Sequence, residues 1–379
     1  MTIRSVTVVN VRNHERSELE CAQHVNILSG RNGSGKTTVL EAMCLGALAR
    51  SFVPVNDASL IRRGEEAASV TVHAQRDIDV PYFVTVRLRE GSRKRIESSL
   101  GSNLTPRDIV GELPVVTLSP DHKSITFGAP SERRAFLDAV MAQASRRTTD
   151  LLFELRRILK QRNAMLDAVD VDETQLTLWT EAFITVSAEL ASRRARFLKT
   201  LLPLIQQSYE QVSGKAEEIN VVYEPDGLEN VDVATETVES IAAALRETAS
   251  RLAFRERQRR STLFGAQRDE LSLRIDGGIV KESASQGQHK SFLVALKLAE
   301  CTILHDVRGE RPVVLLDDVF SELDRSRCER TMELVLAMGM QCFVTTTEGD
   351  TIASMVPAGT DARRIILERG HIVDMREAA

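Results

Sequence analysis

The spacing of apolar residues changes along the chain and divides it into three segments. Residues 1–130 alternate apolar and polar positions in short runs, which is typical of strands with one exposed face. Two of these runs, 69–74 and 82–88, are followed by glycine turns at 91–92 and 101–103. We therefore expect an antiparallel meander in this part of the chain.

Residues 131–265 have apolar residues at helical spacing instead. Ser131 is a favourable N-cap residue and predicts that the first of these helices starts beside it. The predicted helical stretches are 132–144, 151–167, 175–212 and 240–260. Heptads are not sustained over many turns, so the pattern does not favour a long coiled coil. Strand-like runs return in residues 266–379.

Several short apolar runs read as strands, and the most continuous of them are typical of strands buried on both faces. The strand-like runs outside the meander are 3–11, 24–28, 113–118, 313–316, 341–347, 364–367 and 371–373. Residues 38–48 have helical spacing and follow one of these strands after a glycine-rich stretch. The pattern thus predicts an α/β fold interrupted by a helical segment.

The stretch between that strand and helix reads G-x-x-x-x-G-K-T over residues 30–37. A strand, a glycine loop and a helix form the arrangement that a phosphate-binding loop requires. Lys36 is expected to reach the β- and γ-phosphates of ATP, and Thr37 to bind Mg²⁺. The residues predicted to bind nucleotide here are Gly30, Arg31, Asn32, Gly33, Ser34, Gly35, Lys36, Thr37 and Thr38.

Two acidic residues follow the apolar run 313–316. An apolar strand that ends in an acid is typical of a Walker B motif, so Asp317 is predicted to hold Mg²⁺ together with Thr37. Asp318 is predicted to polarise the attacking water, and we take Asp318 and Lys36 as the catalytic residues. The sequence Ser-Glu-Leu-Asp follows at 321–324.

Ser285, Gly287 and Gln288 open a further helix ahead of the Walker B strand. A helix N-terminus with a serine and a glycine offers a second place for phosphate groups. One active site needs only one phosphate loop, so we expect this helix to complete the nucleotide site of a second copy. Two copies would then pack head to tail around two ATP molecules.

The overall composition is that of a soluble globular protein, with 42% hydrophobic and 27% charged residues. No apolar run approaches the roughly 18 residues of a membrane span, and the N-terminus does not resemble a signal segment, so we expect a cytoplasmic protein. The five cysteines form no C-x-x-C pair, which disfavours a zinc site or a disulfide framework.

The net charge of −5 requires any nucleic-acid contact to use a local basic face. Arginines are frequent in the helical segment, although acidic residues are interleaved with them, and a solvated helix face explains any one cluster equally well. The candidate DNA-binding residues are Arg133, Arg134, Arg146, Arg147, Arg156 and Arg157.

These motifs, in this order, resemble the ABC-type ATPases of the SMC and Rad50 group. Within that group, residues 128–138 are similar to the G-x-P-S-x-R-R-x-F-L-D segment of the RecF family, and residues 11–14 to its opening F-R-N-Y. The resemblance adds Arg12 and Asn13 to the predicted nucleotide site. It implies an α/β ATPase head, with a β-meander, in parts 1–130 and 266–379, and an inserted helical lobe over 131–265.

The family resemblance also implies a function. It predicts an ATP-dependent homodimer that binds gapped DNA at junctions of single and double strands, with slow, DNA-stimulated ATP hydrolysis. RecO and RecR are the implied partners in loading RecA during recombinational repair, replication restart and the SOS response.

Three positions depart from expected patterns. His14 replaces the tyrosine of the family motif, which predicts altered packing beside the adenine. Residues 115–121 contain no glutamine for the Mg²⁺ contact of a Q-loop. Threonines at 345–347 stand where transporter ATPases have a switch histidine.

Two other functions are compatible with parts of the sequence. The ATPase subunit of an ABC transporter would need L-S-G-G-Q, a Q-loop glutamine and a switch histidine, and the chain has none of them. A scaffold that binds ATP only to dimerise would not need the acids at 317 and 318.

Overall fold

A computed structural model describes residues 1–321 and 324–377. The strands in chain order are β1 (Thr2–Val11), β2 (His14–Glu20), β3 (Val25–Ser29), β4 (Ala67–Gln75), β5 (Pro81–Arg89), β6 (Arg95–Ser98), β7 (Gly101–Leu104), β8 (Val115–Leu118), β9 (Ile219–Glu224), β10 (Glu270–Ile275), β11 (Gly278–Ile279), β12 (Val313–Asp317), β13 (Cys342–Thr346), β14 (Ala362–Glu368) and β15 (His371–Glu377). The helices are α1 (Lys36–Leu48), α2 (Pro106–Ile109), α3 (Ser124–Phe127), α4 (Pro130–Ala144), α5 (Arg146–Asp167), α6 (Glu173–Ser213), α7 (Val238–Arg259), α8 (Val280–Ser283), α9 (Gln286–Arg308), α10 (Arg325–Ala337) and α11 (Gly349–Ala353).

The chain forms two compact units. The first unit contains Met1–His122, Gln211–Gly214 and Lys290–Ala379, and the second contains Lys123–Glu210 and Lys215–His289. The helical segment predicted over 131–265 lies largely within the second unit. Its assignment as a functional lobe stays a prediction.

The first unit contains an antiparallel sheet with strand order β2-β1-β4-β5-β6-β7. The predicted meander is present, but the turn predicted at 101–103 is wrong. Ser98 pairs with Gly101, so the turn consists of residues 99 and 100 and β7 begins at Gly101. Strand β2 was not predicted because its buried positions include the polar residues His14 and Ser17, which hide the alternation.

The other sheet of the first unit has the order β15-β14-β3-β13-β12-β8. Strands β14, β3, β13, β12 and β8 are parallel, and β15 adds an antiparallel edge. Every residue of β3, β12 and β13 is buried, as expected for strands covered on both faces. Because these strands are parallel, the residues that follow β3 and β12 meet at one edge of the sheet.

Helix α1 lies between the two sheets of the first unit. It packs against β1, β4 and β5 of the antiparallel sheet and against β8, β12 and β13 of the other. Eleven of its thirteen residues are buried, which explains why its apolar residues cover all sides rather than one stripe. Gly46 lets this helix approach β4, since a Cβ atom there would lie 2.7 Å from Val72 Cγ2.

The second unit consists of helices with one small antiparallel sheet. Strand β9 was not predicted, and it pairs with β10, which in turn pairs with β11. The helical core contains Phe183 of α6 and Phe264, whose rings meet edge to face with centroids 5.3 Å apart. No helix in the described part of the chain combines the length and apolar character that crossing a membrane requires.

The predicted start of α4 is wrong by two residues. Ser131 lies inside the helix, whose first residue is Pro130 and whose N-cap is Ala129. Proline suits the first helical position because its φ angle is already helical and that position needs no N–H donor. The serine hydroxyl is therefore not needed as a cap at this start.

We predict that Gly46→Ala destabilises the first unit, although alanine favours helices. The gain in helix propensity, up to about 1 kcal/mol, is outweighed by overpacking against Val72, so the free energy of unfolding should fall by about 1–2 kcal/mol. Denaturant titration of Gly46→Ala in the wild-type and Val72→Ala backgrounds measures this. The loss should shrink in the second background, and a Gly46→Ala protein as stable as the wild type would contradict the packing.

Candidate functional site

The glycine loop joins the end of β3 to the start of α1, and its backbone needs glycine at three positions. Gly30, Gly33 and Gly35 have φ angles of +153°, +78° and +105°. A Cβ atom on Gly30 would lie 2.3 Å from the Leu367 carbonyl oxygen of β14. The loop therefore folds tightly against the sheet, in the glycine-dependent form that lets backbone N–H groups turn toward an anion.

Lys36, the first residue of α1, extends back along this loop. Its ammonium donates to the carbonyl oxygens of Gly30 at 2.6 Å and Arg31 at 3.1 Å. Burial lowers the pKa of the Lys36 ammonium, while the carboxylates of Asp318 and Asp317 oppose that shift. The cation is thus held over the loop, at the place where a phosphate group would need it.

Thr37 meets Asp317, the last residue of β12, at the edge of the parallel sheet, and Asp318 follows directly. The Thr37 hydroxyl donates to Asp317 Oδ1 at 2.8 Å, and the Thr345 hydroxyl at the end of β13 donates to the same oxygen at 2.7 Å. Thr345 also accepts the backbone N–H of Asp318 at 2.9 Å. Asp318 has a φ of +50°, a conformation that few residues other than glycine adopt, and its side chain is exposed.

Burial raises the pKa of the Asp317 carboxyl, and the hydrogen bonds from Thr345 and Thr37 oppose this shift. A cation beside this buried carboxyl group would therefore stabilise its ionised form. The Thr37 and Asp317 oxygens fit Mg²⁺, which usually takes one or two protein oxygens and completes its shell with phosphates and water. In the part of the chain that the structure describes, no cluster of three or more His, Cys, Asp or Glu residues offers another metal site.

Arg12, in the turn between β1 and β2, is held by a buried carboxylate of α1. Its guanidinium makes two contacts with Glu41, Nε to Oε2 at 2.7 Å and Nη2 to Oε1 at 2.8 Å. The Ser51 hydroxyl also donates a hydrogen bond to Glu41 Oε1 at 2.7 Å. Glu41 lies one helical turn after Thr37, so Arg12 is fixed close to the start of α1.

The outer part of the loop combines exposed and buried polar groups. Arg31, Asn32 and Gly33 are exposed, and the Asn13 side-chain amide donates to the Gly33 carbonyl at 3.1 Å. The Ser34 hydroxyl is buried and has no hydrogen-bond partner among the residues that the structure describes. An unpartnered buried hydroxyl inside a glycine loop fits a site that takes a polar ligand. The next residues, Thr37 and Thr38, are half-buried and buried.

A chain of hydrogen bonds connects this loop to the turn between β14 and β15. The buried His14 ring contacts the Gly35 carbonyl through Nε2 at 3.0 Å and the Ser17 hydroxyl through Nδ1 at 2.8 Å. Ser17 lies 3.1 Å from the Gly370 carbonyl oxygen, and the Gly370 N–H donates to the Ser34 carbonyl at 2.9 Å. His14 therefore supports the glycine loop through the Gly35 carbonyl and connects it to Ser17.

The segment after β8, where a Q-loop glutamine is missing, contains a half-buried histidine, His122, instead. His122 Nδ1 accepts the Ser119 N–H at 3.0 Å and lies 2.9 Å from the Ser119 hydroxyl. Burial lowers the pKa of His122 to about 3, and the nearby Lys297 charge acts in the same direction. The nitrogen that accepts the N–H is unprotonated, so this ring is neutral in the folded chain.

The predicted signature residues belong to the second unit. Ser285 and Gln288 form a reciprocal cap, since the Ser285 N–H donates to Gln288 Oε1 at 2.7 Å and the Gln288 N–H donates to the Ser285 hydroxyl at 3.2 Å. Gly287 is half-buried in the first turn of α9. The start of α9 is thus closed by a reciprocal cap between a serine and a glutamine three residues later. Of the predicted segment 321–324, residues 322 and 323 lie outside the described residues.

Three of the six predicted DNA-binding arginines contact carboxylates. Arg133 makes a bidentate pair with Glu270, at 2.9 and 2.7 Å. Arg147 pairs with Glu189 and Arg146 with Asp150. Arg134 donates to the Asp269 carbonyl, Arg157 lies over the Trp179 ring with 5.8 Å to its centroid, and Arg156 is exposed. The placements of Arg133, Arg146 and Arg147 support packing within the unit more than contact with DNA.

Three residues of this site were not predicted as functional. The Glu41 carboxylate pairs with Arg12, and the Thr345 hydroxyl donates to Asp317. Gly370 completes the chain of hydrogen bonds to the glycine loop through the Ser34 carbonyl. The sequence held a signal for two of them. Glu41 follows Thr37 by four residues, and Thr345 lies near the end of the strand beside the Walker B strand. The role of Gly370 depends on a contact between distant parts of the chain and has no local signal.

The family model described as RecF/RecN/SMC N terminal domain matches residues 2–364. The protein from Geobacter sp. (strain M21) named DNA replication and repair protein RecF is 32% identical over 375 residues, covering 99% of this chain and all of that protein. The Chlorobaculum tepidum protein of the same name is 33% identical over 351 residues, covering 92% and 94%. The chain belongs to the RecF family.

A solved structure agrees with this membership. The structure of the recombination mediator protein RecF-ATP in the RecFOR pathway has a TM-score of 0.88 and 25% identity, covering 99% of this chain and 97% of that one. The predicted α/β ATPase-head fold is thereby confirmed, and the function is that of the RecF family, DNA replication and repair. A transporter ATPase is not favoured, since the named relatives are repair proteins.

We predict that acidification lowers the free energy of unfolding of the first unit because His122 resists protonation in the folded chain. The unfolded chain takes up a proton near the ordinary pKa of 6.5, whereas the folded ring resists protonation down to about pH 3. Stability from this group is therefore present above pH 6.5 and lost below it, by about 1.4 kcal/mol between pH 7.5 and 5.5.

Denaturant titrations at the two pH values test this effect. His122→Asn should lose about 1.4 kcal/mol less than the wild type on acidification. His73→Asn, a change at an exposed histidine of β4, serves as the matched control and should follow the wild type. Equal losses in all three proteins would show that His122 does not cause the acid sensitivity.

Proposed function

We propose that the first unit binds ATP with Mg²⁺ and hydrolyses it slowly, in a reaction tied to DNA binding. The contact between Thr37 and Asp317, 2.8 Å across the edge of the parallel sheet, carries this proposal. It joins the two oxygens that would hold Mg²⁺ beside the loop that would hold the phosphates. A structure of a RecF protein with ATP, similar over nearly the whole chain, supports the choice of nucleotide.

Each residue of the site has a role in this proposal. The loop N–H groups and Lys36 bind the β- and γ-phosphates, for which Lys36 leaves the Gly30 and Arg31 carbonyls. Arg12, held by Glu41, adds a second cation beside the phosphates. Asp318 orients the water that attacks the γ-phosphorus and accepts its proton. The metal, when bound, would neutralise charge that develops on the phosphate oxygens.

The signature helix provides the basis for a dimer. Ser285, Gly287 and Gln288 would bind the γ-phosphate held by a second copy, through the N-terminus of α9. ATP would then hold two copies together, and the dimer would bind gapped DNA with its single-strand and double-strand junction. In the cytoplasm RecO and RecR would be the partners of this dimer in loading RecA. The RecFOR pathway named for the similar structure supports these partners.

We predict different effects for two substitutions at the site. Lys36→Ala removes a charge-assisted contact and should weaken ATP binding by roughly 1.5–3 kcal/mol.

Asp318→Asn should leave ATP affinity nearly unchanged and lower the rate of phosphate release with gapped DNA. Calorimetry and a phosphate-release assay measure the two quantities. Unchanged affinity in Lys36→Ala, or wild-type turnover in Asp318→Asn, would refute the role assigned to that residue.

We predict that ATP with Mg²⁺ doubles the molar mass of the wild type in solution, as measured by light scattering. Ser285→Arg should bind ATP and remain a monomer, because the larger side chain blocks the start of α9. Ser283→Arg, two residues earlier on exposed α8, is the matched control and should dimerise. ATP binding with no change in mass for the wild type would contradict the ATP-driven dimer.

A further inference from the structure

Helices α5 and α7 of the second unit contact each other near their C-terminal ends. Arg162 of α5 forms a buried ion pair with Glu256 of α7, Nη2 to Oε2 at 2.6 Å. Asn163, the next residue of α5, accepts the N–H of Thr262, which follows the end of α7, at 2.9 Å. Arg260 and Asp167, at the ends of the two helices, lie 3.6 Å apart. These contacts fix which residues of the two helices are level with each other.

Each helix carries a row of exposed cations beside this line of contacts. Arg156 and Lys160 precede Asn163 on α5 at intervals of three and four residues. Arg251, Arg255 and Arg259 are spaced by four on α7. Residues three or four apart share a helix face, about 6 Å from one to the next. The five residues Arg156, Lys160, Arg251, Arg255 and Arg259 define what we term the basic seam.

The basic seam has no acidic partner among the described residues, whereas the other arginines of these helices pair with carboxylates, except Arg157, which lies over the Trp179 ring. None of its five cations lies within 4 Å of a carboxylate in the described residues. Neighbouring arginines do have partners, as Arg246 pairs with Glu181 and Arg257 with Glu173. Like charges four residues apart destabilise a helix, so a structural role does not account for these rows.

An exposed aromatic residue adjoins the basic seam. Phe254 is 72% exposed, on α7 between two of the arginines, and it follows Arg251 by three residues. Most phenylalanine side chains in folded proteins are buried, and an exposed one lacks the stabilisation that burial gives. Cations with an exposed aromatic ring form the combination that binds single-stranded nucleic acid, because phosphates meet the cations and a base stacks on the ring.

We propose that the basic seam binds a single strand of DNA, with its phosphates on the five cations and a base against Phe254. This inference rests on the proposed function and locates one part of it, the contact with the single-stranded region of a gap. Of this surface, the candidate residues named from the sequence include Arg156, and Lys160, Arg255 and Arg259 belong to the basic clusters that the sequence shows in the helical segment. An acidic peptide is the other polyanion that the cations could attract, and the experiment distinguishes it.

The test measures binding of a fluorescent single-stranded oligonucleotide, a gapped duplex and an oligoglutamate to the full chain, across a salt series. In Arg255→Ala/Arg259→Ala, the slope of log affinity against log salt for the oligonucleotide should shrink by about 1.4, since each lost phosphate contact removes about 0.7. Phe254→Ala should weaken oligonucleotide binding about 5- to 150-fold, with an unchanged slope. Arg257→Ala, whose guanidinium already pairs with Glu173, is the matched control and should bind like the wild type.

The outcomes separate this inference from the proposed function. If the wild type binds DNA and all variants bind it equally, the basic seam is not the contact and the DNA-binding function stands. If the wild type binds no DNA, both fail. If the variants lose oligoglutamate binding while oligonucleotide binding is kept, the surface takes an acidic protein segment and our proposal is overturned. A circular dichroism spectrum and a denaturation midpoint equal to those of the wild type show that each variant is folded.

Discussion

The enclosure of α1 by two sheets is the constraint on which the candidate site depends. A helix buried on nearly every side cannot shift or rotate without disturbing both sheets, so its first turn has a fixed position. Lys36 and Thr37 belong to that turn, and Glu41 in the next turn holds Arg12. The parallel sheet then brings Asp317 to the Thr37 hydroxyl. Packing that is mainly apolar thus sets the distances between the polar groups.

The second unit depends on buried ion pairs instead. Arg194 is 1% exposed and contacts Asp138 at 2.8 Å and Asp269 at 2.6 Å. A buried pair costs desolvation energy, and removing one partner leaves a charge that nothing balances, so such pairs specify one arrangement of the elements more than they add stability. Arg133 and Asp138 both lie in the 128–138 segment by which the family resemblance was found. Through the ion pairs of Arg133 and Asp138, that segment therefore holds α4 against its neighbours in the second unit.

Local patterns predicted the parts of the site that are contiguous in sequence. The loop 30–37 and the acids after β12 have fixed spacings, and their chemistry was predicted without knowledge of the strand order. The contacts of Thr345 and Gly370 depend on which strands are neighbours, which the spacing of residues does not encode. Strand β2 was missed for a related reason, because its buried polar residues are satisfied by partners far away in the chain. The predicted cap at Ser131 failed where proline made a side-chain cap unnecessary.

The contact between Thr37 and Asp317 has a consequence for synthesis of the chain. These residues are 280 positions apart, and at 5–20 residues per second a ribosome needs roughly 15–55 s to pass from one to the other. The Gly370 contact with Ser34 comes later still. A nascent chain therefore displays the glycine loop long before the groups that complete its surroundings exist. The groups around the glycine loop can be complete only after Asp317 and Gly370 have both been synthesised.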